Sequence, residues 1–510
     1  MRRAKNVLLI IADQWRGDSL GVLGHAASLT PNLDALACDG VLFRNHYGQS
    51  APCGPARASL LTGQYVMNHR VVANGVPLDA RHPTLAGIAR AGGIDAAMIG
   101  YTTTTPDPRT TARDDLRFAE IGHVMDGFRV FAHLDEVDFR NYFGWIATRG
   151  GSLPADPTDI WLPITGKPGP TIAASGVDAA HSDTAWSGEH ALEFLRTTRA
   201  ERPWLLHLGF YRPHPPFVAP APYNTIVPEH AIPAPVRAAE EADEAAAHPM
   251  LAHWLASQRQ GSYFHGADGR VASLSDADIV STRRAYYGLI AELDVWIGRV
   301  LEELRRTGQY DNTLIIFTSD HGEQLGDHRL LGKLGWFDQS YHLPLIIRHP
   351  DGVRGRVVNA FTEAVDVMPT VLDWLDLATP GTCNGTTLGP WLAGAAPAWR
   401  DAVHFEYDLR GGWPHPASLP SHVSLEVGPM AAMRTDRWKY VHFTGLPPIL
   451  YDLTQDPHEL RNVAGDPAYR GVLLEAVQRM LSWRMAHVDV GLTAVVASPD
   501  GLIERALPSR

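Results

Sequence analysis

The sequence predicts an α/β fold: a mixed, mostly parallel central sheet flanked by helices, followed by a smaller C-terminal antiparallel sheet plus one helix. Three observations predict it. Residues 6–12 (NVLLIIA) and 314–317 (LIIF) are unbroken apolar runs, as suits strands buried on both faces of a parallel sheet. Residues 286–306 place Leu289, Leu293, Trp296, Val300 and Leu304 on one helical stripe and feed into the second run, the order of a βαβ unit. After residue 396 the pattern changes to short strand-like runs with close turns.

The elements follow in order. Residues 6–12 form the first strand and 286–306 a helix against the sheet. Between 115 and 280 lie long irregular pieces rich in Pro, Gly and Asp, read as insertions on the face where a site would sit. Within them the Ala/Glu-rich stretch 237–247 reads as a solvated surface helix with no function. Residues 365–377 predict a helix in which Pro369 marks a kink or a late start. Runs at 404–407, 430–433, 438–443 and 449–453, with a turn at Thr435-Asp436, predict the antiparallel sheet. Asp466-Pro467 then starts a helix over 468–487. The tail from 490 to 510 is moderately apolar without clear periodicity. The division expected is 1–395, with its insertions, and 396–510.

Composition narrows the function. A chain of 510 residues can bury a large core and suggests two or more domains. Its 45% hydrophobic and 20% charged content is that of a soluble globular protein. A net charge of -12 argues against a nucleic-acid partner, and no apolar run approaches a membrane span. Met1-Arg2-Arg3 before an apolar stretch imitates a signal peptide, but Asp13 interrupts it early and no small-residue cleavage site follows. Three cysteines, Cys38, Cys53 and Cys383, make no disulfide framework. Together these features favour a reducing, cytoplasmic setting with neither nucleic acid nor membrane as partner. There are no internal repeats.

Both apolar runs end abruptly in polar clusters, Asp13-Gln14 and Thr318-Ser319-Asp320-His321-Gly322. Ligands of such sheets sit beyond the carboxyl ends of the strands. Asp13, Gln14, Asp320 and His321 offer two carboxylates, an amide oxygen and an imidazole, a shell suited to one divalent cation. One Asp at a strand end is most often a turn or cap; two clusters together point to a metal. Cys53-Gly54-Pro55-Ala56-Arg57 has the form C-x-P-x-R, with a helix expected to start at Pro55, where no amide partner is needed. Cys53 then lies at a helix amino end, where N–H groups and the dipole favour developing negative charge.

The strings DQWR (13–16), CGPARASLLTG (53–63) and TSDHGEQLGDH (318–328), with Lys333, LYDL (450–453) and DPHEL (456–460), resemble the sulfatase family of the alkaline phosphatase superfamily, the type I arylsulfatases. Gln14 beside Asp13, YTTTTPDP (101–108) and RPHPPF (212–217) resemble its phosphonate monoester hydrolase and phosphodiesterase branch. The resemblance runs nearly end to end. One departure lies at 17–34, a short segment that reads like an ordinary sulfatase where the phosphonate branch is expected to carry a longer insertion.

The resemblance implies an alkaline-phosphatase-like fold, with 1–395 the catalytic domain and 396–510 a small α+β subdomain whose tail packs across subunits of a homodimer or homotetramer. It implies that Cys53 is oxidised to formylglycine by a formylglycine-generating enzyme acting on the unfolded chain. The hydrated aldehyde is a geminal diol: one hydroxyl attacks sulfur or phosphorus, the other loses a proton, the carbonyl reforms and the acid is expelled. Asp13, Gln14, Asp320, His321 and residue 53 would hold the metal, with Arg57 steadying the diol and Lys333 reaching a non-bridging oxygen. Asn74, Tyr101 and Thr103 would hydrogen-bond the substrate, and His214 would protonate the leaving group. His321 and Gln14 soften the shell relative to the oxygen-only shell of ordinary sulfatases, favouring Mn2+, then Ca2+, with Zn2+ third. The expected substrate is a small anionic ester. Sulfate monoesters come first on the short 17–34 segment, with phosphonate monoesters and phosphodiesters in the same site. Phosphonate monoester hydrolysis as the main activity is the alternative. A two-metal phosphomutase or phosphatase, or a non-catalytic anion-binding relative, are the other classes.

Overall fold

The computed structural model describes residues 4–119, 123–134, 138–198, 202–408 and 428–504. The main sheet has nine strands: β1 (Asn6–Ala12), β2 (Val41–Tyr47), β3 (Asp95–Gly100), β4 (Arg129–His133), β5 (Trp204–Phe210), β6 (Thr313–Ser319), β7 (His342–Leu343), β8 (Leu345–Arg348) and β9 (Arg356–Glu363). Their order is β4-β3-β5-β1-β6-β8-β2-β7, with β9 also paired to β2. The five strands from β4 to β6 are mutually parallel, and β8 runs against both β6 and β2.

The unbroken apolar character of β1 has a direct cause. Leu8 and Ile10 enter one core cluster, while Val7, Leu9 and Ile11 enter another on the opposite face, so no position from 7 to 11 faces solvent. Register then sets the site. Ala12 pairs with both Phe210 of β5 and Ser319 of β6, so Asp13, Tyr211 and Asp320 leave the sheet at one level.

The helix expected over 286–306 is the later part of a longer one, Asp276–Arg306, started by a capping box between Ser275 and Asp278. The helix with Pro369 starts late. A 3-10 turn at Ala364–Asp366 precedes Val367–Trp374, and Pro369 falls in the first turn, where a missing N–H costs nothing. The surface helix expected over 237–247 is shorter, Glu241–Ala246, and is not wholly solvated. Glu244 is buried and takes hydrogen bonds from the Ala238 N–H (2.6 Å) and His328 Nδ1 (2.9 Å), so one carboxylate turns inward to satisfy buried donors.

A second, antiparallel sheet follows: β10 (Ala402–Asp408), β11 (Pro429–Thr435), β12 (Trp438–Phe443) and β13 (Ile449–Asp452). One face shares an apolar cluster with Tyr47, Phe337, Tyr341 and Phe361 of the main body. The other packs Met433, Tyr440 and Leu450 against Ala476 and Met480 of the helix Arg470–His487. The tail, where no periodicity showed, forms a hairpin of Val495–Ser498 with Gly501–Glu504; its last six residues lie outside those described. Among the described residues no helix is long and apolar enough to cross a membrane.

Candidate active site and metal centre

Asp13, Cys53, Asp320 and His321 are all buried, and each offers a ligand atom within 4.8 Å of the others. Asp13 and Asp320 come from the ends of β1 and β6. The turn after β1 is held by the long helix: Tyr286 Oη donates to the Gln14 carbonyl (2.9 Å) and accepts from the Arg16 N–H (3.0 Å). Gln14 itself is left-handed (φ 68°), and its N–H donates to Asp320 Oδ1 (3.2 Å), lacing the two strand ends together. A non-glycine residue held at positive φ is strain that the surroundings must impose, and such strain gathers at functional sites.

The helix bearing Cys53 begins earlier than expected. It runs Cys53–Thr62, with Pro52 in extended conformation before it and Pro55 at its third position. A proline normally keeps the preceding residue out of helical space through that residue's Cβ, and Gly54 has none. Gly54 serves packing as well: a Cβ there would lie 3.1 Å from Asn74 Oδ1 and 3.2 Å from the Thr103 carbonyl. Asn74 Oδ1 accepts the Gly54 N–H (2.8 Å), satisfying one free donor of the helix start. Cys53 Sγ lies 3.1 Å from His321 Nε2 and 3.1 Å from Lys333 Nζ.

Arg57, one turn along, is fully buried. Its Nε donates to Asp320 Oδ2, Nη2 to Asp13 Oδ2 and Nη1 to the Tyr101 carbonyl, each at 2.9 Å. Its guanidinium stacks 4.3 Å from the centre of the Tyr101 ring. Tyr101 Oη donates to Asp13 Oδ2 (2.6 Å), so that hydroxyl orients the carboxylate. Thr103 is buried and left-handed (φ 51°), an outlier for a β-branched residue.

The donor set fits a metal. Asp13 Oδ1 is buried with no hydrogen-bond partner and lies 3.6 Å from His321 Nε2. Burial, and then the Asp320 charge, push the Asp13 carboxyl above its ordinary range, a penalty that a cation on the open oxygen would relieve. Burial opposes the Asp320 charge too, but His321, Arg57 and Lys333 outweigh it and hold that carboxyl below the usual range. His321 Nδ1–H donates to the Gly322 carbonyl (3.1 Å), leaving the Nε2 lone pair facing Cys53. Burial pushes His321 down to about 4, so at neutral pH it is the uncharged imidazole that a metal needs. Lys333 keeps its charge: burial opposes it, and Cys53, Asp13 and Asp320 more than compensate.

The structure gathers Asp13, Gln14, Cys53, Arg57, Asp320, His321 and Lys333 at one point, with Asn74, Tyr101 and Thr103 packed against them. His214 stands at the rim, half-buried and near enough to Lys333 and Asp320 to feel both charges. Its Nδ1–H donates to the Pro215 carbonyl (2.8 Å), and burial, then Lys333, hold its pKa well below the ordinary value. Sequence reasoning missed the residues that act through others. Arg212, paired with buried Asp183 (2.9 Å), donates to the His214 and Pro216 carbonyls (2.9 and 2.7 Å) and so shapes the His214 loop. Glu323, fully buried, accepts from Gln14 Nε2 and from the Leu325 and Gly332 N–H groups (2.9 and 2.6 Å). Glu323 and Arg212 lie inside the strings 318–328 and 212–217 that carry the resemblance, but nothing in the sequence showed that they hold Gln14 and the His214 loop.

The family model described as Sulfatase matches residues 5–377, and that of the C-terminal region of N-sulphoglucosamine sulphohydrolase matches 326–486. The chain is 48% identical to the multifunctional alkaline phosphatase superfamily protein PehA of Trinickia caryophylli, covering 98% of this chain and 99% of that one. It is 27% identical to an arylsulfatase of Clostridium perfringens, covering 91% of each. The crystal structure of the phosphonate monoester hydrolase of Agrobacterium radiobacter superposes with a TM-score of 0.94 at 43% identity, over 99% of this chain and 100% of that one.

Proposed function

From the premise that the chain belongs to the sulfatase family of the alkaline phosphatase superfamily and is a hydrolase, we propose that it is a formylglycine-dependent, metal-assisted hydrolase of monoanionic esters, with phosphonate monoesters and phosphodiesters as main substrates and sulfate monoesters turned over in the same site. The observation that carries this order of substrates is the full-length likeness to a phosphonate monoester hydrolase. Sulfate as the preferred substrate is the second reading, favoured by the short 17–34 segment.

A divalent ion held by Asp13, Gln14, Asp320, His321 and residue 53 would supply Lewis acidity. Oxidation of Cys53 would supply the hydrated aldehyde as nucleophile. The chain's own residues do the rest. Arg57 fixes both carboxylates, and Lys333 stands 3.1 Å from Sγ of residue 53 to neutralise a non-bridging oxygen. His214, with its Nδ1–H on the Pro215 carbonyl and its pKa held well below the ordinary value, must gain a proton on Nε2 before it can serve the leaving group as an acid. Charge balance selects the substrate. Among the groups within direct reach of the metal and the ester, Asp13 and Asp320 cancel Arg57 and Lys333, so a divalent cation leaves two positive charges there. A deprotonated nucleophile and a monoanionic ester match them, whereas a dianionic phosphate monoester leaves an excess negative charge in a buried site.

The test is kcat/KM on metal-replete protein, coexpressed with a formylglycine-generating enzyme, for an aryl phosphonate monoester, an aryl sulfate and an aryl phosphate sharing one leaving group. The phosphonate is expected to exceed the sulfate by about tenfold or more, which is about 1.4 kcal/mol of transition-state binding, with the phosphate slowest. A sulfate preference reverses the order in favour of the second reading, and phosphate turnover equal to phosphonate turnover rules out the charge argument. Cys53→Ala is expected to fold, bind metal and show no turnover; retained turnover would rule out the nucleophile.

A further inference from the structure

Gln14 is the one proposed ligand whose donor atom is ambiguous by chemistry, since its amide can present oxygen or nitrogen. We infer that Glu323 is a positioning residue that fixes this choice: it holds the Gln14 amide with its oxygen toward the metal centre and so sets the affinity of that centre for its ion. The inference rests on the metal-site reading above.

The argument is one of donors and acceptors. A lysine ammonium only donates hydrogen bonds, so the Gln14 atom that faces Lys333 Nζ is the amide oxygen. Glu323 is fully buried and takes the Gln14 Nε2 group on Oε2, while Oε1 takes the Gly332 N–H (2.6 Å) and the Leu325 N–H (2.9 Å). Three donors on one buried carboxylate leave it no freedom to turn. The NH2 end of Gln14 must therefore face Glu323, and its Oε1 must face the other way. There it accepts from Lys333 Nζ (3.3 Å), the same ammonium that lies 3.1 Å from Cys53 Sγ. A flipped amide would set its oxygen against the Glu323 carboxylate and its NH2 against Lys333, two repulsive contacts in a dry site. Glu323 also links two parts of the site, because Gly332 precedes Lys333. The same carboxylate thus holds the turn after β1 and the loop that delivers the lysine.

The experiment is direct titration of the metal-stripped full-length protein with Mn2+, followed calorimetrically, for wild type, Glu323→Gln, Gln14→Ala and the double variant. A glutamine at 323 cannot accept from Gln14 and from both backbone donors at once, so the Gln14 amide loses its fixed orientation. The expected result is a Kd for Mn2+ raised by about 10- to 100-fold in Glu323→Gln, the usual scale for a residue that orients a metal ligand. Gln14→Ala should weaken binding at least as much. In the Gln14→Ala background, Glu323→Gln should add nothing, because its effect passes through Gln14. Full additivity in the double variant, or unchanged affinity in Glu323→Gln, overturns the inference while leaving the metal site in place. Absence of Mn2+ binding by wild type would instead overturn the metal-site reading and this inference with it. Should Glu323→Gln not fold, Glu323→Asp, which withdraws the carboxylate by one methylene, carries the same test with the same expected direction.

Discussion

Arg57 has every side-chain nitrogen in use or buried, and two of its three contacts are carboxylates that no metal neutralises in the free protein. Removing one member of a buried ion pair strands the others, at a cost of about 3–5 kcal/mol. Arg57→Met keeps much of the volume and loses the charge. It is expected to lose stability on that scale in urea denaturation of metal-free protein, and less with saturating Mn2+, since the ion binds only the folded state and replaces part of the lost positive charge. An equal loss with and without Mn2+ would show that the ion does not sit on Asp13 and Asp320. At this scale the gathering of Asp13, Cys53, Asp320 and His321 was legible, because two strand ends and a helix start point them to one place. Glu323, Tyr286, Asp183 and Arg212 were not. They act by orienting other residues, and their partners lie up to hundreds of positions away, as Tyr286 does from Gln14.

At the scale of elements, β1, β6 and the four short C-terminal strands were legible from apolar runs and turns, since burial on both faces leaves no choice of side chain. The start of the Cys53 helix was misplaced because Gly54 lifts the restriction that Pro55 would otherwise impose. The full length of the helix Asp276–Arg306 was hidden for a related reason: its first turns pack under the insertions and carry polar residues such as Arg283, which donates to Asp327 and to backbone carbonyls. The same helix carries a titratable group that lies outside the candidate site. Glu292 is fully buried, takes the Ser182 hydroxyl on Oε1 (2.5 Å) and has no partner for Oε2. Burial pushes its pKa from 4.5 up to about 8. The folded chain therefore keeps this proton where the unfolded chain has lost it. The stability that proton confers is complete below pH 4.5 and drains away as pH rises toward 8, at up to about 1.4 kcal/mol per unit for one group. Glu292→Gln accepts the Ser182 hydroxyl equally well and never ionises. Its denaturation midpoint is expected to match wild type near pH 5 and to rise above it progressively toward pH 8. Parallel pH profiles would show that Glu292 is not held protonated.

At the scale of the molecule, the helix Arg470–His487 is apolar on two faces. One buries Ala476 and Met480 against the small sheet. The other exposes Leu474, Val477, Leu481, Met485 and, just past the helix end, Val488, an unbroken stripe at helical spacing; Leu481 is 58% and Met485 72% exposed. A contiguous exposed apolar patch of this kind marks an interface. The adjoining hairpin exposes Leu502 as well. The expected cover is a second copy of this chain, forming a homodimer or homotetramer, for the stripe is on a regular element that every copy presents alike. The helix end is also tied to the region of Cys53. Asn68, shortly after the Cys53 helix, donates to the His487 carbonyl (2.7 Å) and accepts the Asp489 N–H (2.8 Å), so assembly would brace the segment that follows residue 53. Placing two charges on the stripe, Leu481→Glu with Met485→Glu, removes no buried contact within the chain and should leave the fold intact. Sedimentation equilibrium is expected to show wild type as a dimer or tetramer at micromolar concentration and the double variant shifted to monomer. A monomeric wild type, or a variant of unchanged mass, would mean that this face does not join subunits.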